Sequence, residues 1–440
     1  MPGGMRGNCY ITPLLLFATA FAPSQTTHSP KFSVETRTFT AANLYWLVQG
    51  YFLPPRELPR TSLDASYKTY LRIALSTDDR RAFDLATIEF VAQLHNSHTF
   101  FWDTWLDSQN EPLGFYAEPL EGYWVVRSSL LPVLKAGDII TKIDDTPTEA
   151  FFQQQQRYIA ASSVAAQRHN LFLLPYLFPK RFTLTLDSDK KVEIDREKIK
   201  TPEQKAEERW LKPRSTAYIK IPAFSDPQFE QAALAFVRQF QSAKTLILDV
   251  RNNSGGIPPK KLVQALMDRP YHTWKKSTAT RFALVDADGD DEKGRISTMV
   301  PEGLRNCEYW AEDRSCVVRV TWGGEVVAPY PNAFRGRVIL IVDGGCVSAC
   351  EELVEPFKES GRGVIVGETT EGSSGLPYVY NFHNGMFLKV SVQRQSFPDG
   401  SEFEGVGIKP DVEIHPSISS LKRGEDVVLD KALVVATRLQ

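Results

Sequence analysis

Five consecutive apolar residues, Val338-Ile339-Leu340-Ile341-Val342, run into Asp343-Gly344-Gly345, and a helical pattern begins soon after, at Glu351. A short, mostly β-branched run bounded by glycines reads as a buried strand, and Glu351 to Lys358 reads as a short helix. The chain must then turn sharply from strand to helix within Val347-Ser348-Ala349-Cys350. A serine in such a turn is ordinarily an N-cap. The same turn also exposes a hydroxyl beside the unpaired N–H groups of a helix start, which suits a nucleophile facing a developing oxyanion. A second buried strand, Leu246 to Val250, ends in Arg251-Asn252-Asn253-Ser254-Gly255-Gly256. Around these runs the pattern alternates: Tyr218 to Ile221 as a strand, Ala232 to Phe240 as a helix and Lys260 to Met267 as a helix. Alternation of this kind predicts an α/β sheet protein.

Further along, Ser401-Glu402-Phe403-Glu404-Gly405-Val406-Gly407 places a carboxylate in a glycine-rich loop that precedes Pro410-Asp411. Asp249 to Gly256, Ser348-Ala349-Cys350-Glu351, Val366-Gly367-Glu368-Thr369 and Glu404 to Gly407 occur in the order seen in C-terminal processing (tail-specific) serine proteases. The C-terminal half of the chain resembles that family. The resemblance implies a protease core with a mixed, ClpP/crotonase-like sheet and helices, and it makes Ser348 the nucleophile. Members of the family use a lysine base in a Gly-Lys-Gly element after the nucleophile. Here the corresponding stretch is Gly372-Ser373-Ser374, so the lysine is missing.

The loss of the lysine leaves two readings, an inactive homologue or a different base. Leu94-His95-Asn96-Ser97-His98-Thr99 is similar to the serine-histidine pair of the tricorn-type branch of the superfamily. By that resemblance His98 is the general base, Ser97 belongs to the site, and Glu404 completes a tetrad by orienting the imidazole through Ser97. The chemistry is sound, since a neutral imidazole accepts a serine proton and returns it to a leaving amine. His95 is the rival base, one helical turn away, and a plain helix C-terminal histidine is the structural reading of either.

An oxyanion hole needs two backbone donors. Ala349, directly after the nucleophile, supplies one by the usual strand-turn-helix geometry. Gly255 or Gly256 supplies the other, because a residue without a side chain allows close backbone approach. Asp249 and Arg251 read as a structural ion pair.

The 440 residues predict two to three domains. The net charge is −2, from 51 basic and 53 acidic residues, which offers no electrostatic footprint for nucleic acid or anionic membrane. Arg6, the apolar stretch Leu14 to Ala18 and Ala20-Phe21-Ala22 read as a secretory signal over 1–22, predicting a secreted or periplasmic protein. No other apolar run is long enough to span a membrane. Without the leader four cysteines are left. Cys307 and Cys316 are expected to form a local disulfide, whereas Cys346 and Cys350 read as small buried side chains. Asp286 to Asp291 has only part of a calcium-loop pattern, so no metal and no cofactor are expected.

An N-terminal helical domain is expected over 30–108, carrying Ser97-His98, with Ala42 to Leu53 and Phe83 to Leu94 as amphipathic helices. Short strands at Trp124 to Val126, Asp138 to Ile143 and Phe182 to Leu186 follow. Pro112-Leu113-Gly114-Phe115 and Lys135-Ala136-Gly137-Asp138-Ile139-Ile140 make 109–200 similar to a PDZ domain. That likeness implies that the N–H groups of Leu113, Gly114 and Phe115 capture a peptide carboxylate. Residues 201–213 read as a linker into the serine protease core, 201–425. Together these features predict an exported serine endopeptidase acting on unfolded or C-terminally presented polypeptides through an acyl-enzyme. The competing expectation is an inactive homologue that binds a polypeptide or an apolar ligand. The sequence leaves the oligomeric state open.

Overall fold

The computed structural model describes residues 32–53, 60–200, 202–283, 309–310, 315–373 and 375–438. The predicted signal segment, Cys307 and the acidic stretch 286–291 lie outside the described residues.

The apolar run at 338–342 sits at the centre of a six-stranded sheet, which explains why it carries no polar residue. In spatial order the strands are Val412–Glu413, Gly363–Gly367, Arg337–Val342, Thr245–Asp249, Thr216–Lys220 and Glu207–Lys212. The first five run parallel and the last is antiparallel. A parallel interior needs cover on both faces. Helices Pro227–Gln239, Lys260–Leu266 and Ala349–Ser360 pack Phe229, Val237, Leu262, Leu353 and Phe357 onto one face. Helix Val427–Arg438 packs Val428, Ala432 and Ala436 onto the other. Residues 207–212, read from their charge as linker, form the antiparallel edge strand, where charged side chains are tolerated because one flank faces solvent.

Three helices, Val34–Tyr51, Arg60–Ser76 and Arg80–Ala92, form the N-terminal unit. Their apolar faces close over a three-stranded sheet made from Phe100–Asp103, Met386–Ser391 and Pro377–Asn381. The last two strands come from late in the chain, so the segment carrying His98 is tied to the core by backbone pairing. Residues 115–195 form a separate β-rich unit with its own apolar centre, including Trp124, Ile140, Phe152 and Phe182.

Candidate active site

Ser348 directly precedes the helix Ala349–Ser360 and has φ of 57° and ψ of −114°. A non-glycine residue with positive φ stores strain, and here it turns the side chain out at the junction of strand and helix. The backbone is held there from two sides. The Ser348 N–H donates to Glu351 Oε2 at 3.1 Å. Gly255 presses against the turn, where an added Cβ would lie 2.4 Å from Val347 O and 2.9 Å from Ser348 Cβ.

His98 Nε2 lies 2.9 Å from Ser348 Oγ, across 250 residues of sequence. The other ring nitrogen, Nδ1, meets Ser373 Oγ at 2.7 Å. For Nε2 to accept the Ser348 hydroxyl proton, Nδ1 must carry the hydrogen and donate it to Ser373. Burial, reinforced by the charge of Lys389, lowers the His98 pKa to about 3, so the ring is neutral at neutral pH. His95 is exposed and makes no such contact.

The sequence expectation for Ser97 differs from the geometry. Its hydroxyl accepts the N–H of Ser162 at 3.0 Å, and it is Ser373 that contacts the imidazole. Glu404 also reaches the base by another route. Its Oε1 accepts Asn96 Nδ2 at 3.1 Å and the Ser162 hydroxyl. Asn96 Oδ1 in turn accepts the His98 N–H at 3.1 Å and Thr99 Oγ1 at 2.9 Å. The carboxylate therefore holds the His98 backbone, through Asn96, rather than its ring. Ser162, contributed by the β-rich unit, was not foreseen, because no motif surrounds it.

Glu351 is the second unforeseen residue. It is fully buried and accepts Ser348 N, Ser373 N at 3.1 Å, Gly372 N at 2.8 Å and Thr370 Oγ1 at 2.5 Å. One carboxylate thus joins the Ser348 turn to the loop that carries Ser373, which contacts the His98 ring. Burial pushes its pKa up to about 8, against the pull of those donors. Its position at the third residue of a helix was the available signal.

Of the two glycines near the turn, Gly255 gives its N–H to Asn253 Oδ1 at 3.0 Å. The N–H groups of Gly256 and Ala349 have no hydrogen-bond partner among the described residues. Asp249 and Arg251 pair at 2.6 Å as expected, and Asp426 joins them at 2.8 Å. Cys346 and Cys350, expected as free buried thiols, form a disulfide instead. Their Cα atoms are 5.3 Å apart, since one turn at the helix start brings residues four apart together. Leu113 and Phe115 place their side chains in the centre of the β-rich unit, and Gly114 has φ of 74°. Among the described residues no group of histidine, cysteine or acidic side chains could hold a metal ion.

Residues 215–414, which include the nucleophile turn, Ser373 and Glu404, match the family model described as Peptidase family S41. The chain carries a peptidase S41 domain. The chain is 27% identical over 202 residues to the chloroplastic C-terminal processing peptidase of Tetradesmus obliquus, covering 46% of this chain and 35% of that protein. It is 25% identical over 228 residues to the carboxyl-terminal-processing protease of Synechocystis, covering 51% of this chain and 44% of that protein. The matched stretch thus spans less than half the length of these relatives. The solved structure of mature CPAF complexed with lactacystin superposes with a TM-score of 0.65 at 14% identity, covering 92% of this chain and 99% of that one. At that identity the likeness speaks for the fold, and it extends well beyond the S41 match into the N-terminal half.

Proposed function

We propose that this chain is a serine endopeptidase of the S41 type that hydrolyses peptide bonds through an acyl-enzyme, with His98 replacing the lysine base. The observation that carries this reading is the hydrogen bond from Ser348 Oγ to His98 Nε2 at 2.9 Å, with the opposite ring nitrogen held by Ser373. In this mechanism Ser348 Oγ attacks the scissile carbonyl as its proton passes to Nε2. The carbonyl oxygen, now negative, is met by the N–H groups of Ala349 and Gly256. The imidazolium returns its proton to the departing amine, leaving the acyl group on Ser348. A water then repeats the sequence, giving its proton to His98 and releasing the acid. Ser97 and Glu404 act as positioning residues through Ser162 and Asn96.

The substrates on this reading are unfolded or C-terminally presented polypeptides, and the β-rich unit is a PDZ-like module with Leu113, Gly114 and Phe115 as its carboxylate loop. The Cys346–Cys350 disulfide supports export to an oxidising compartment, as does the signal-like 1–22 segment. Among the described residues no helix is long and apolar enough to cross a membrane. A formed serine-histidine pair gives no support to a binding-only homologue.

The test is direct. The wild-type protein should be labelled at Ser348 by a fluorophosphonate and should cut an unfolded polypeptide at internal bonds. Ser348→Ala and His98→Ala should each lose about 10³-fold or more of that activity while keeping the folded spectrum. Equal cleavage by Ser348→Ala would remove the mechanism.

A further inference from the structure

The disulfide between Cys346 and Cys350 encloses Val347, Ser348 and Ala349, so one small ring holds both the proposed nucleophile and a proposed oxyanion donor. Both cysteines are fully buried among the apolar side chains on one face of the central sheet. Their Cα atoms stay 5.3 Å apart even though Ser348, between them, has φ of 57° and ψ of −114°, far from helical values. A residue in that conformation keeps it only where its surroundings leave no other. The hydrogen bond to Glu351 and the press of Gly255 act on the turn from outside, whereas the disulfide closes it from within.

The ring is also tied to the two loops that complete the site. Cys346 O accepts the Glu371 N–H at 3.3 Å, which joins it to the loop carrying Ser373. Val347 N–H donates to Asn253 O at 3.1 Å, and Cys350 Sγ lies 3.7 Å from Val250 O. These two contacts join the ring to the loop carrying Gly255 and Gly256. Reduction changes what the core must hold. Two thiols cannot sit at bonding distance, and a close-packed interior has no spare room into which they can separate. The displacement falls on the ring itself, hence on Ser348 Oγ and the Ala349 N–H. A shift of about 1 Å in such groups is enough to lower turnover about 100-fold.

We infer that the Cys346–Cys350 disulfide is a positioning element of the active site, and that the chain is a competent peptidase only with that bond formed. The inference rests on the proposed peptidase reading and adds a control to it: cleavage runs in an oxidising compartment and is held low in a reducing one. The exchange that unlocks the ring balances with a dithiol as reductant. One thiolate attacks a cysteine sulfur and breaks the Sγ–Sγ bond, and the second thiolate displaces the mixed disulfide that results. The dithiol leaves as its own disulfide, and two electrons and two protons pass to Cys346 and Cys350. Because both sulfurs are buried, an outside thiol reaches them only when the turn opens, so the state of the bond is set chiefly while the chain folds.

The test compares two forms of the full chain, one folded with a dithiol present and the other treated afterwards with oxidised glutathione. Alkylation and peptide mass read the state of the 346–350 pair in each. With the pair reduced, kcat on an unfolded polypeptide should fall about 100-fold with little change in KM, and the rate of fluorophosphonate labelling should fall with it. Oxidation should restore both. Cys346→Ala/Cys350→Ala should match the reduced form and no longer respond to oxidant, which separates this pair from the other cysteines. Amide exchange gives a readout without catalysis: protection at Val347, Ser348 and Glu371 should drop about 10-fold on reduction while that of Val338 to Val342 is unchanged. Equal kcat in the two forms would overturn the inference. So would a loss of activity that comes with lost protection across the central strand, since the bond would then only stabilise the fold. If Ser348→Ala cleaves like the wild type, the peptidase reading falls, and the exchange pattern alone decides whether the bond orders the turn.

Discussion

A hydroxyl stands where the imidazole of a serine hydrolase more often meets a carboxylate. Ser373 accepts the hydrogen on His98 Nδ1 but carries no charge, so it selects the tautomer without stabilising the imidazolium by an ion pair. Removing it should leave the ring free to rotate or change tautomer. Ser373→Ala is accordingly expected to lower kcat about 10- to 100-fold with little change in KM, measured on one peptide substrate. Ser97→Ala, which touches neither ring nitrogen, should cost less. The lack of a counter-charge also sets the pH dependence. As the proposed base His98 works only when neutral, and burial with the Lys389 charge lowers its pKa from 6.5 to about 3. Activity should therefore persist as pH falls through 6.5 and disappear only nearer pH 3. An acid limb of kcat/KM centred near 6.5 would contradict this environment. Lys389→Met should move the limb upward, because it removes the repulsive charge.

At the next scale, the nucleophile turn depends on a neighbouring loop having no side chain. Gly255 has φ of 81°, and a Cβ there would sit 2.4 Å from Val347 O and 2.9 Å from Ala349 N. Gly255→Ala should cost about 1–3 kcal/mol in a denaturant titration and abolish cleavage, because strain and contact both push on Ser348. Unchanged kcat would mean that the turn can yield. This element was legible beforehand: a strand ending at Val342, a helix beginning near Glu351 and a glycine pair after a parallel strand leave few arrangements. His98 was legible through its Ser-His motif. The partners of these residues were not. Ser162 and Asn96 act through hydrogen bonds that many polar loop residues can make, so no local pattern marks them. Residues 207–212 were misread because an edge strand and a linker share a charged composition, and only pairing with Thr216–Lys220 separates them. The Cys346–Cys350 bond depended on the turn geometry of Ser348, which spacing alone does not specify.

Across the whole molecule, the β-rich unit meets the core through a buried polar network close to the nucleophile. Glu118 accepts Tyr116 OH at 2.6 Å, pairs with Arg127 and lies 2.9 Å from His169 Nδ1. The His169 ring rests over the strand-to-helix loop, where a Cβ added at Gly345 would be 3.2 Å from Nε2. That loop is itself pinned by Asp343, which accepts Asn252 N at 2.9 Å and Gly345 N at 3.0 Å. Burial opposes charge on His169, yet the Glu118 hydrogen bond and negative charge raise its pKa above 6.5. Burial likewise opposes charge on Glu118, but His169 and Arg127 hold it at about 2. The signs follow from linkage. The raised histidine contributes stability that is complete below pH 6.5 and is lost as pH rises through its folded value. The depressed glutamate contributes stability above pH 4.5 and loses it only towards pH 2. Asp343, raised by burial to about 6, adds a loss of the same sign as pH rises from 3.8. Docking of the β-rich unit on the loop should therefore be tightest near about pH 4.5, weaken as Asp343 ionises towards pH 6, and weaken further as His169 loses its proton above pH 6.5. Hydrogen exchange of the Gly344 and Gly345 amides, corrected for intrinsic rate, should show protection falling from pH 6 to 8. His169→Gln, which keeps a polar side chain but cannot titrate, should flatten most of that fall. An equally steep fall from pH 6 to 8 in His169→Gln would remove His169 as its source, since the Asp343 contribution is already spent by about pH 6.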